Sequence, residues 1–422
     1  QKYSVVVTNP PYLGNARFSP VLDKYVKQNY ADVKTDLSMV MLNKSISNLS
    51  KIDGFVSFIT TSSWMTLGSF EKLRKYMLTN TCIETLVDFG TELFEGKVGH
   101  NPIVAWVNRN TRSVNKKMLA VRLVDFCYSR RGRKIEEFFN QKNRYIVDQK
   151  NFEKIPGYLI DYWISPALFK AFDGTKISDF GTAKVGIGSG NTDYFLKIWY
   201  EISFDSISFE ATSRENIKYA PINKGGGFRK WYGNNVYIIK WIEDGQELKN
   251  YCDKNGNKLS YPRNLDFQLK ESLTWGDISS GDFSLRYSPK GYFFSDVGNS
   301  LFVYDDDKKW YILAFGNTKL FNQMTKLLNQ TMHFKPGNML KMPLIYDEKH
   351  KKEIDDIARD NIRLAKLDWD AFETSWDFAY HPLLRKVSDM ENAFEQWKVE
   401  CEERFNQVKI NEEELNRIFI DI

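Results

Sequence analysis

The residues best suited to chemistry lie near the start of the 422-residue chain, where Asn9, Pro10, Pro11 and Tyr12 directly follow the apolar run Tyr3–Thr8. A residue that precedes proline is kept out of the helical region, so Asn9 and Pro10 are held extended. The side-chain oxygen of Asn9 and the carbonyl of Pro10 can then point the same way, with no proline N–H donor beside them. The pattern predicts two fixed acceptors that face an amino group with two hydrogens.

Two such acceptors suit the methylation of an exocyclic amine. The lone pair of the adenine N6 amine is delocalised into the ring, which makes the nitrogen a poor nucleophile. Carbonyls that accept hydrogen bonds from both N–H groups push electron density back to nitrogen and stabilise the positive charge that builds as it attacks. An adenine must leave the duplex to reach such a site, and the ring of Tyr12 offers a face for stacking.

The elements around the tetrapeptide alternate between strand and helix. Apolar runs predict strands at 3–8, 55–60, 83–89 and 103–108, of which the first reads as buried. Helical spacing predicts helices at 36–49 and 69–78, the second with Ser69 as its N-cap. The alternation predicts an α/β fold with part of a doubly wound, Rossmann-like sheet that is mostly parallel, and reacting groups in such sheets lie beyond the carboxyl ends of strands.

The composition changes along the chain and predicts three regions. Residues 1–174 hold the alternating elements and are expected to be the C-terminal half of a catalytic domain. Residues 175–344, with short strand-like runs, frequent glycine and many aromatic side chains, are expected to be a mixed α+β recognition domain, and residues 345–422 a helical region. Because the chain opens in a strand, we expect it to be a fragment whose upstream part supplies the neighbouring strands.

The composition also excludes several classes of protein. Charged residues make up 27% and hydrophobic residues 42% of the chain, and no apolar stretch approaches the roughly 20 residues that span a bilayer, so an integral membrane protein is excluded. The four cysteines and four histidines lack metal-ligand spacing, so we expect no metal site and a cytoplasmic location. The net charge of +5 combines a basic front with an acidic end, which favours a polyanion as the partner of the front part.

A basic run between residues 112 and 134, which includes Arg112 and Lys116, is either a nucleic-acid contact or a solvated face. A second signal is the glycine-rich segment 224–234, where Lys224, Arg229 and Lys230 supply charge for phosphates. Its aromatic side chains, Phe228, Trp231 and Tyr232, could stack on bases or wedge between them. The alternative for this segment is a glycine hairpin packed by its aromatic side chains, with its charges in water.

Arginine is the side chain best suited to read guanine in the major groove, so Arg229, Arg263 and Arg286 are candidates for sequence readout. A further glycine segment, Gly186–Gly190, is a weak candidate for a nucleotide-type loop, because the residues after it form a poor helix start.

The tetrapeptide and its surroundings resemble the DNA amino-methyltransferases in which the donor-binding half precedes this motif and target recognition follows it. Within that class, the chain is most similar to the large adenine methyltransferases of BREX phage-defence systems, the PglX family. The segments that carry the similarity are Val5–Tyr12, Lys34–Leu37, Ser62–Met65, Phe70–Arg74, Lys224–Asn234 and Glu373–Phe378.

The resemblance implies S-adenosylmethionine as the methyl donor, the N6 amine of adenine in double-stranded DNA as the acceptor, and self/non-self marking as the biological role. It implies that Asn9 and Pro10 accept from the amine, that Tyr12 stacks on the base, and that Phe94 packs on the other side of the flipped base. Other components of the phage-defence system are candidate partners.

The chain departs from the family pattern in one respect, because the donor loop and the acidic residue that holds the ribose are expected upstream of residue 1. The donor-binding residues are therefore unassigned, and we expect the fragment alone to be inactive. Two alternatives stay open: the modification and specificity part of a fused type II restriction-modification enzyme, and a non-catalytic DNA-binding specificity module.

Overall fold

The computed structural model describes residues 1–94, 100–111, 117–278, 281–328 and 333–422. The chain folds as two compact units, Gln1–Asp173 and Gly174–Ile422. The regions 175–344 and 345–422 of the sequence analysis both lie in the second unit. Arg112 and Lys116 of the basic run lie outside the described residues.

The first unit is built around one sheet with helices on its connections. Its elements are β1 (Tyr3–Thr8), α1 (Pro20–Asn29), α2 (Leu37–Lys44), β2 (Ser50–Thr61), α3 (Glu71–Asn80), β3 (Cys82–Gly90), β4 (Ile103–Arg109), β5 (Lys117–Arg122), α4 (Lys134–Phe138), β6 (Arg144–Asp148) and α5 (Pro166–Ala171). In the described residues, the sheet has the strand order β1-β2-β4-β3-β5-β6.

The predicted α/β fold is confirmed, but the expectation of a mostly parallel sheet is wrong, because three of its five ladders in the described residues are antiparallel. The ladders β1–β2 and β3–β5 are parallel, whereas β4 is antiparallel to both of its neighbours. Consequently β1, β2, β3 and β5 share one direction, and β4 and β6 run against it. The carboxyl ends of β1, β2 and β3 therefore meet at one edge of the sheet.

The prediction that β1 is buried is wrong for this chain. The side chains of Tyr3, Val5 and Val7 are 46%, 57% and 71% exposed. The reason is position: β1 is the last strand at its end of the sheet, and among the described residues its ladder partner is β2. An apolar run predicts a strand, but it cannot say whether the faces of that strand are covered.

The helix predictions are confirmed in position and differ at their ends. Asp36 caps α2, since its carboxylate accepts from the Ser38 backbone N–H, and the last predicted turn, Ser45–Leu49, is a π-turn. α3 begins at Glu71 rather than at Ser69. Ser69 lies within a 3₁₀ turn, so its hydroxyl is not the N-cap that the sequence predicts.

The second unit holds two small sheets and a set of helices. Its elements are β7 (Gly181–Lys184), α6 (Thr192–Phe195), β8 (Leu196–Ile198), β9 (Tyr219–Asn223), β10 (Tyr237–Lys240), α7 (Ile242–Lys249), β11 (Ser272–Gly276), β12 (Arg286–Ser288), β13 (Phe293–Phe294), β14 (Gly298–Val303), α8 (Lys309–Gly316), α9 (Lys319–Leu328), α10 (Pro336–Lys341), α11 (Lys351–Trp369) and α12 (Met390–Asp421). In the described residues, the sheets have the orders β13-β9-β10-β8 and β12-β11-β14-β7.

Aromatic side chains fill the core of this unit, as the sequence suggests for a chain with 15% aromatic residues. The ring of Trp241, which directly follows β10, lies 4.7 Å from the ring of Phe293 in β13. The C-terminal helices pack on the rest of the unit: the ring of Phe419 in α12 lies 5.2 Å from that of Tyr311 in α8. No helix of the described residues has the length and apolar character needed to cross a membrane.

Candidate functional site

The tetrapeptide lies where β1 ends, at the edge of the sheet shared by the carboxyl ends of β2 and β3. Thr8 is still paired with Phe58 of β2, and the chain leaves the sheet at the next residue. The side chain of Asn9 is exposed and Pro10 is buried, so the polar group faces outward from an anchored turn. The sequence predicts that these residues lie just beyond the end of a strand, and in the structure they follow the last residue of β1.

The hydroxyl of Tyr12 connects Asn9 to the neighbouring strand. It lies 2.9 Å from Asn9 Oδ1 and 3.2 Å from the carbonyl oxygen of Ile59 in β2. Partial burial raises the pKa of Tyr12, so the hydroxyl keeps its proton and acts as a donor. Because an amide oxygen has two lone pairs, Asn9 Oδ1 can accept from Tyr12 and still accept from a ligand.

The segment after the tetrapeptide is tied to the start of α2. The Leu37 backbone N–H donates to the Leu13 carbonyl at 2.9 Å, and Gly14 pairs with Asp36 in an isolated antiparallel bridge. Asp36 also caps α2 through the Ser38 N–H at 2.8 Å. The capping residue therefore fixes both the helix and the loop that follows the candidate site.

Arg74 of α3 holds the turn that follows β2, at the same edge of the sheet. Its guanidinium is buried and donates to the carbonyls of Trp64 at 2.8 Å, Leu67 at 2.7 Å and Gly157 at 2.9 Å. Burial lowers the pKa of Arg74 to about 10, which leaves it charged at neutral pH. Sequence reasoning did not single out Arg74, because a basic residue on a short amphipathic helix normally points to water.

Phe94 lies four residues beyond the end of β3 and is half-buried. In the sheet, β1 and β3 are separated by three inter-strand spacings, or roughly 14 Å. The loop after β1, which holds Asn9, and the loop after β3, which holds Phe94, therefore lie at the same edge of the sheet but are not adjacent. The loop before Phe94 is fixed at Thr91, whose carbonyl accepts from Lys134 Nζ, and at Gly90, whose N–H donates to the buried Asp88. Lys134, part of the predicted basic run, is itself buried, and burial lowers its pKa.

The cations of the glycine-rich segment 224–234 are partly covered, and each has a partner within the second unit. Arg229 forms an ion pair with Asp368 of α11 at 3.2 Å, and its guanidinium lies 5.0 Å from the centre of the Trp369 ring. Lys230 forms an ion pair with Glu412 of α12 at 2.7 Å. The acidic C-terminal helices therefore pair with two of the three cations that the sequence suggested for DNA, Arg229 and Lys230.

Two of the three aromatic candidates in the same segment, Trp231 and Tyr232, are buried, whereas Phe228 is 62% exposed. Trp231 is 2% exposed, and its indole N–H donates to Glu412 at 2.9 Å. Its backbone has a φ of +69°, a conformation that is costly for a bulky residue, and is held by hydrogen bonds with the Leu285 carbonyl and the Tyr287 N–H. The ammonium of Lys224 lies 4.1 Å from the centre of the Tyr237 ring.

The two remaining arginine candidates differ sharply. Arg286 is 2% exposed, and its guanidinium donates to the carbonyls of Gly225 at 3.0 Å and Arg229 at 3.3 Å. Burial lowers its pKa to about 10. We therefore correct the expectation for Arg286, which supports the glycine-rich segment from inside, whereas Arg263 is exposed.

The segment Gly186–Gly190 does not fit a loop that holds a methyl donor. Its backbone N–H groups are used internally: Gly186 donates to Ser295, Ile187 to Phe294 and Gly188 to Tyr261. A loop that cradles a polar ligand needs these donors free. The short helix α6 that follows, with four residues, agrees with the poor helix start seen in the sequence.

Within the described ranges, no group of three or more His, Cys, Asp and Glu side chains could hold a metal ion. Cys127, Cys252 and Cys401 are free thiols.

Comparison with known proteins gives consistent matches. Residues 1–94 match the family model of the Eco57I restriction-modification methylase. The whole chain is 36% identical over 439 residues to the adenine-specific methyltransferase PglX of Lacticaseibacillus casei (strain Zhang), covering 36% of that protein. It is 34% identical over 429 residues to the adenine-specific methyltransferase BrxX of Escherichia coli O9:H4 (strain HS), covering 34% of it.

The chain thus spans about a third of the length of these curated relatives. Among solved structures, it resembles the Type IIL restriction-modification enzyme MmeI in complex with DNA, with a TM-score of 0.53 at 12% identity. The match covers 98% of this chain and 53% of that one. This likeness shows that the fold is shared.

Proposed function

We propose that this chain is part of a DNA N6-adenine methyltransferase like PglX and BrxX, to which it is similar over its whole length, and that it carries the amine-binding site and the target-recognition part. The observation that carries the proposal is the tetrapeptide at the end of β1. Asn9 is exposed there on a buried proline, and Tyr12 donates to its side-chain oxygen at 2.9 Å.

The chemistry follows from the acceptors. The adenine N6 group donates one hydrogen to Asn9 Oδ1 and the other to the Pro10 carbonyl, which accepts no hydrogen bond within the described residues. Both bonds strengthen as positive charge builds on nitrogen, so they stabilise the transition state more than the ground state. Neither carbonyl is a strong base, so the proton lost after transfer passes to water.

S-adenosylmethionine, as the co-substrate, supplies an electrophilic methyl group. The residues that hold it stay unassigned, because Gly186–Gly190 use their N–H groups internally. In this proposal Asn9 and Pro10 orient the nitrogen, Pro11 keeps a competing N–H donor away, and Tyr12 and Phe94 pack on the two faces of the flipped base. The cost of unstacking the base, a few kcal/mol, is offset by these contacts.

The partner in this proposal is double-stranded DNA, and the modification marks the DNA of the host cell for a phage-defence system in the cytoplasm. Other components of that system are the expected protein partners. The residues Arg229, Lys230 and Trp231 contribute to recognition indirectly, because their side chains attach the glycine-rich segment to α11 and α12.

The test is methyl transfer by the full-length protein with the substitution Asn9→Ala. We expect incorporation of radiolabelled methyl groups into DNA to fall by at least about a hundredfold, as for the loss of one preorganised charge-stabilising group. DNA affinity, measured by fluorescence anisotropy, should stay within about twofold. The matched control is Asn406→Ala, since Asn406 is an exposed asparagine on α12.

The outcomes separate the alternatives. Full methylation by the Asn9→Ala variant would contradict the role of the tetrapeptide. Absence of methylation in both the wild type and the variant, with DNA binding intact, would favour the non-catalytic specificity module. Cleavage of unmodified DNA by the wild type would favour the fused restriction-modification enzyme, whose fold class MmeI represents.

A further inference from the structure

A cationic surface lies in the second unit, away from the glycine-rich segment. It consists of the loop Tyr261–Lys270 together with Lys184 at the end of β7, and we call it the cation–aromatic surface. Three cations on it are placed against aromatic rings rather than against carboxylates. None of Lys184, Arg263 and Lys270 forms an ion pair within the described residues.

Phe267 is flanked by two of these cations. The ammonium groups of Lys184 and Lys270 lie 5.0 Å and 5.1 Å from the centre of its ring. The ring itself is half-buried against Phe302, with centres 4.9 Å apart. A packed ring holds both side chains in place, and a cation–π contact leaves the N–H donors free for another ligand.

Arg263 is placed in the same way over Tyr261. Its guanidinium carbon lies 5.2 Å from the centre of the Tyr261 ring, and both side chains are exposed. The hydroxyl of Tyr261 lies 3.2 Å from the Lys258 carbonyl, which fixes the ring. An ordered, exposed arginine with five free donors suits a phosphate or the edge of a guanine.

The glycine segment 186–190 explains why this loop is rigid. Gly188 and Tyr261 exchange backbone hydrogen bonds at 3.0 and 2.7 Å, and the Asn264 amide donates to the Val185 carbonyl at 2.8 Å. A Cβ at Gly190 would lie 2.5 Å from the Leu259 carbonyl oxygen. The glycines therefore allow the loop to approach β7, which brings Lys184 to Phe267.

The acidic groups nearby are few. Asp266 is exposed within the loop, and Asp296 lies beneath it, with a carboxylate oxygen 3.1 Å from the Cβ position of Gly188. Exposed Lys258 adds a further positive charge at the edge of the surface. The balance of charge is positive, and the aromatic faces add stacking capacity, which is the combination that nucleic acid requires.

We propose that the cation–aromatic surface contacts the phosphate backbone of the DNA duplex beside the target site, with Lys184, Arg263 and Lys270 as the contacting cations. This surface rests on the proposed function, since it orients the same DNA whose adenine is methylated. It assigns phosphate contact to residues that the glycine-rich segment, with its internal ion pairs, does not supply.

The experiment uses the full-length protein with the triple substitution Lys184→Gln, Arg263→Gln and Lys270→Gln. The probe is a fluorescein-labelled duplex of mixed sequence with adenines in both strands, titrated between about 50 and 200 mM salt. The control triple variant, Lys349→Gln, Lys386→Gln and Lys409→Gln, removes the same charge from exposed residues of the same unit. Thermal unfolding checks that both variants fold.

Loss of three phosphate contacts should weaken binding by on the order of a hundredfold and lower the slope of log affinity against log salt by roughly 3. Equal slopes and affinities in the test and control triple variants would overturn the proposal.

Two outcomes distinguish a failure of the proposed surface from a failure of the proposed function. A wild-type protein that methylates adenine, with a test variant that binds like the control, refutes the surface and leaves the function standing. A wild-type protein that never methylates, with a selective loss of salt-dependent binding in the test variant, supports the surface and refutes the function. Absence of any DNA binding by the wild type refutes both.

Discussion

The glycine-rich segment 224–234 and the cation–aromatic surface are both basic and aromatic, but within the described residues ion pairs with carboxylates occur only in the first, at Arg229 and Lys230. In the first, Lys230 and Trp231 meet the carboxylate of Glu412, so charge is neutralised inside the unit. In the second, Lys184 and Lys270 meet the ring of Phe267, so charge stays available. The partner of a cation, rather than its presence, decides whether a loop supports the fold or contacts a polyanion.

The comparison also separates two uses of glycine. Gly233 has a φ of +115°, and a Cβ there would lie 2.6 Å from Arg229 Cδ, so it allows the glycine-rich segment to fold on itself. Gly186 has a different role, because its lack of a side chain allows the backbone of Phe294 to pack closely against it. Glycine-rich sequences therefore mark close approach here in both cases, and neither case is a loop that cradles a ligand.

We expect the largest change in stability from Gly186→Ala, because Gly186 belongs to the glycine segment that holds the loop of the cation–aromatic surface in place. A Cβ at this position would lie 2.0 Å from the Phe294 carbonyl oxygen, which is backbone and cannot move freely. We expect the free energy of unfolding to fall by on the order of 4 kcal/mol. Urea denaturation measures the change, and Gly227→Ala is the control, since a Cβ there meets nothing within 4 Å. Equal stability of the two variants would contradict this account.

Arg286→Leu and Arg263→Leu form a matched pair that tests the contrast directly. Arg286→Leu leaves two buried carbonyls without a donor, so we expect a loss of about 3 kcal/mol in unfolding free energy. DNA affinity per folded molecule should not change. Arg263→Leu should change stability by less than about 0.5 kcal/mol, because the residue is exposed, and should weaken DNA binding. The reverse result would exchange the roles of the two arginines.

The smallest effect is expected for Glu412→Ala. This substitution removes the acceptor of Lys230 and Trp231, which are both at least half-covered, and should cost about 1.5 kcal/mol of stability. It also leaves Lys230 without its carboxylate, so DNA affinity at low salt should rise slightly. Denaturant unfolding and anisotropy measure the two effects. Glu402→Ala, an exposed position on the same helix, should change neither.

The sequence was sufficient to predict the elements that carry local signals. The placement of Asn9–Tyr12 followed from an apolar run and two prolines, and the helix after Asp36 followed from its periodicity. Ser69 failed as a cap because the chain makes a 3₁₀ turn at Gly68–Phe70 before the helix begins. Propensity rules do not distinguish a cap from a residue in the preceding turn.

The burial of charged residues could not be predicted, because it depends on distant partners. Trp231 is paired with a residue 181 positions later in the chain, and Arg286 with carbonyls about 60 positions earlier. The same applies to the cation–aromatic surface, where Lys184 meets a ring that lies far along the sequence. Only the fold brings these groups together, so composition indicated the presence of charge without its location.

The anchor of the Tyr261–Lys270 loop has a consequence for how the charge of this surface can change among relatives. The exchange between Gly188 and Tyr261 is made by backbone groups, which every residue other than proline provides. Substitutions at exposed positions such as 263 and 270 can therefore accumulate without loosening the loop. A surface of this construction can change its charge, and with it its affinity for a polyanion, while the unit beneath it keeps its stability.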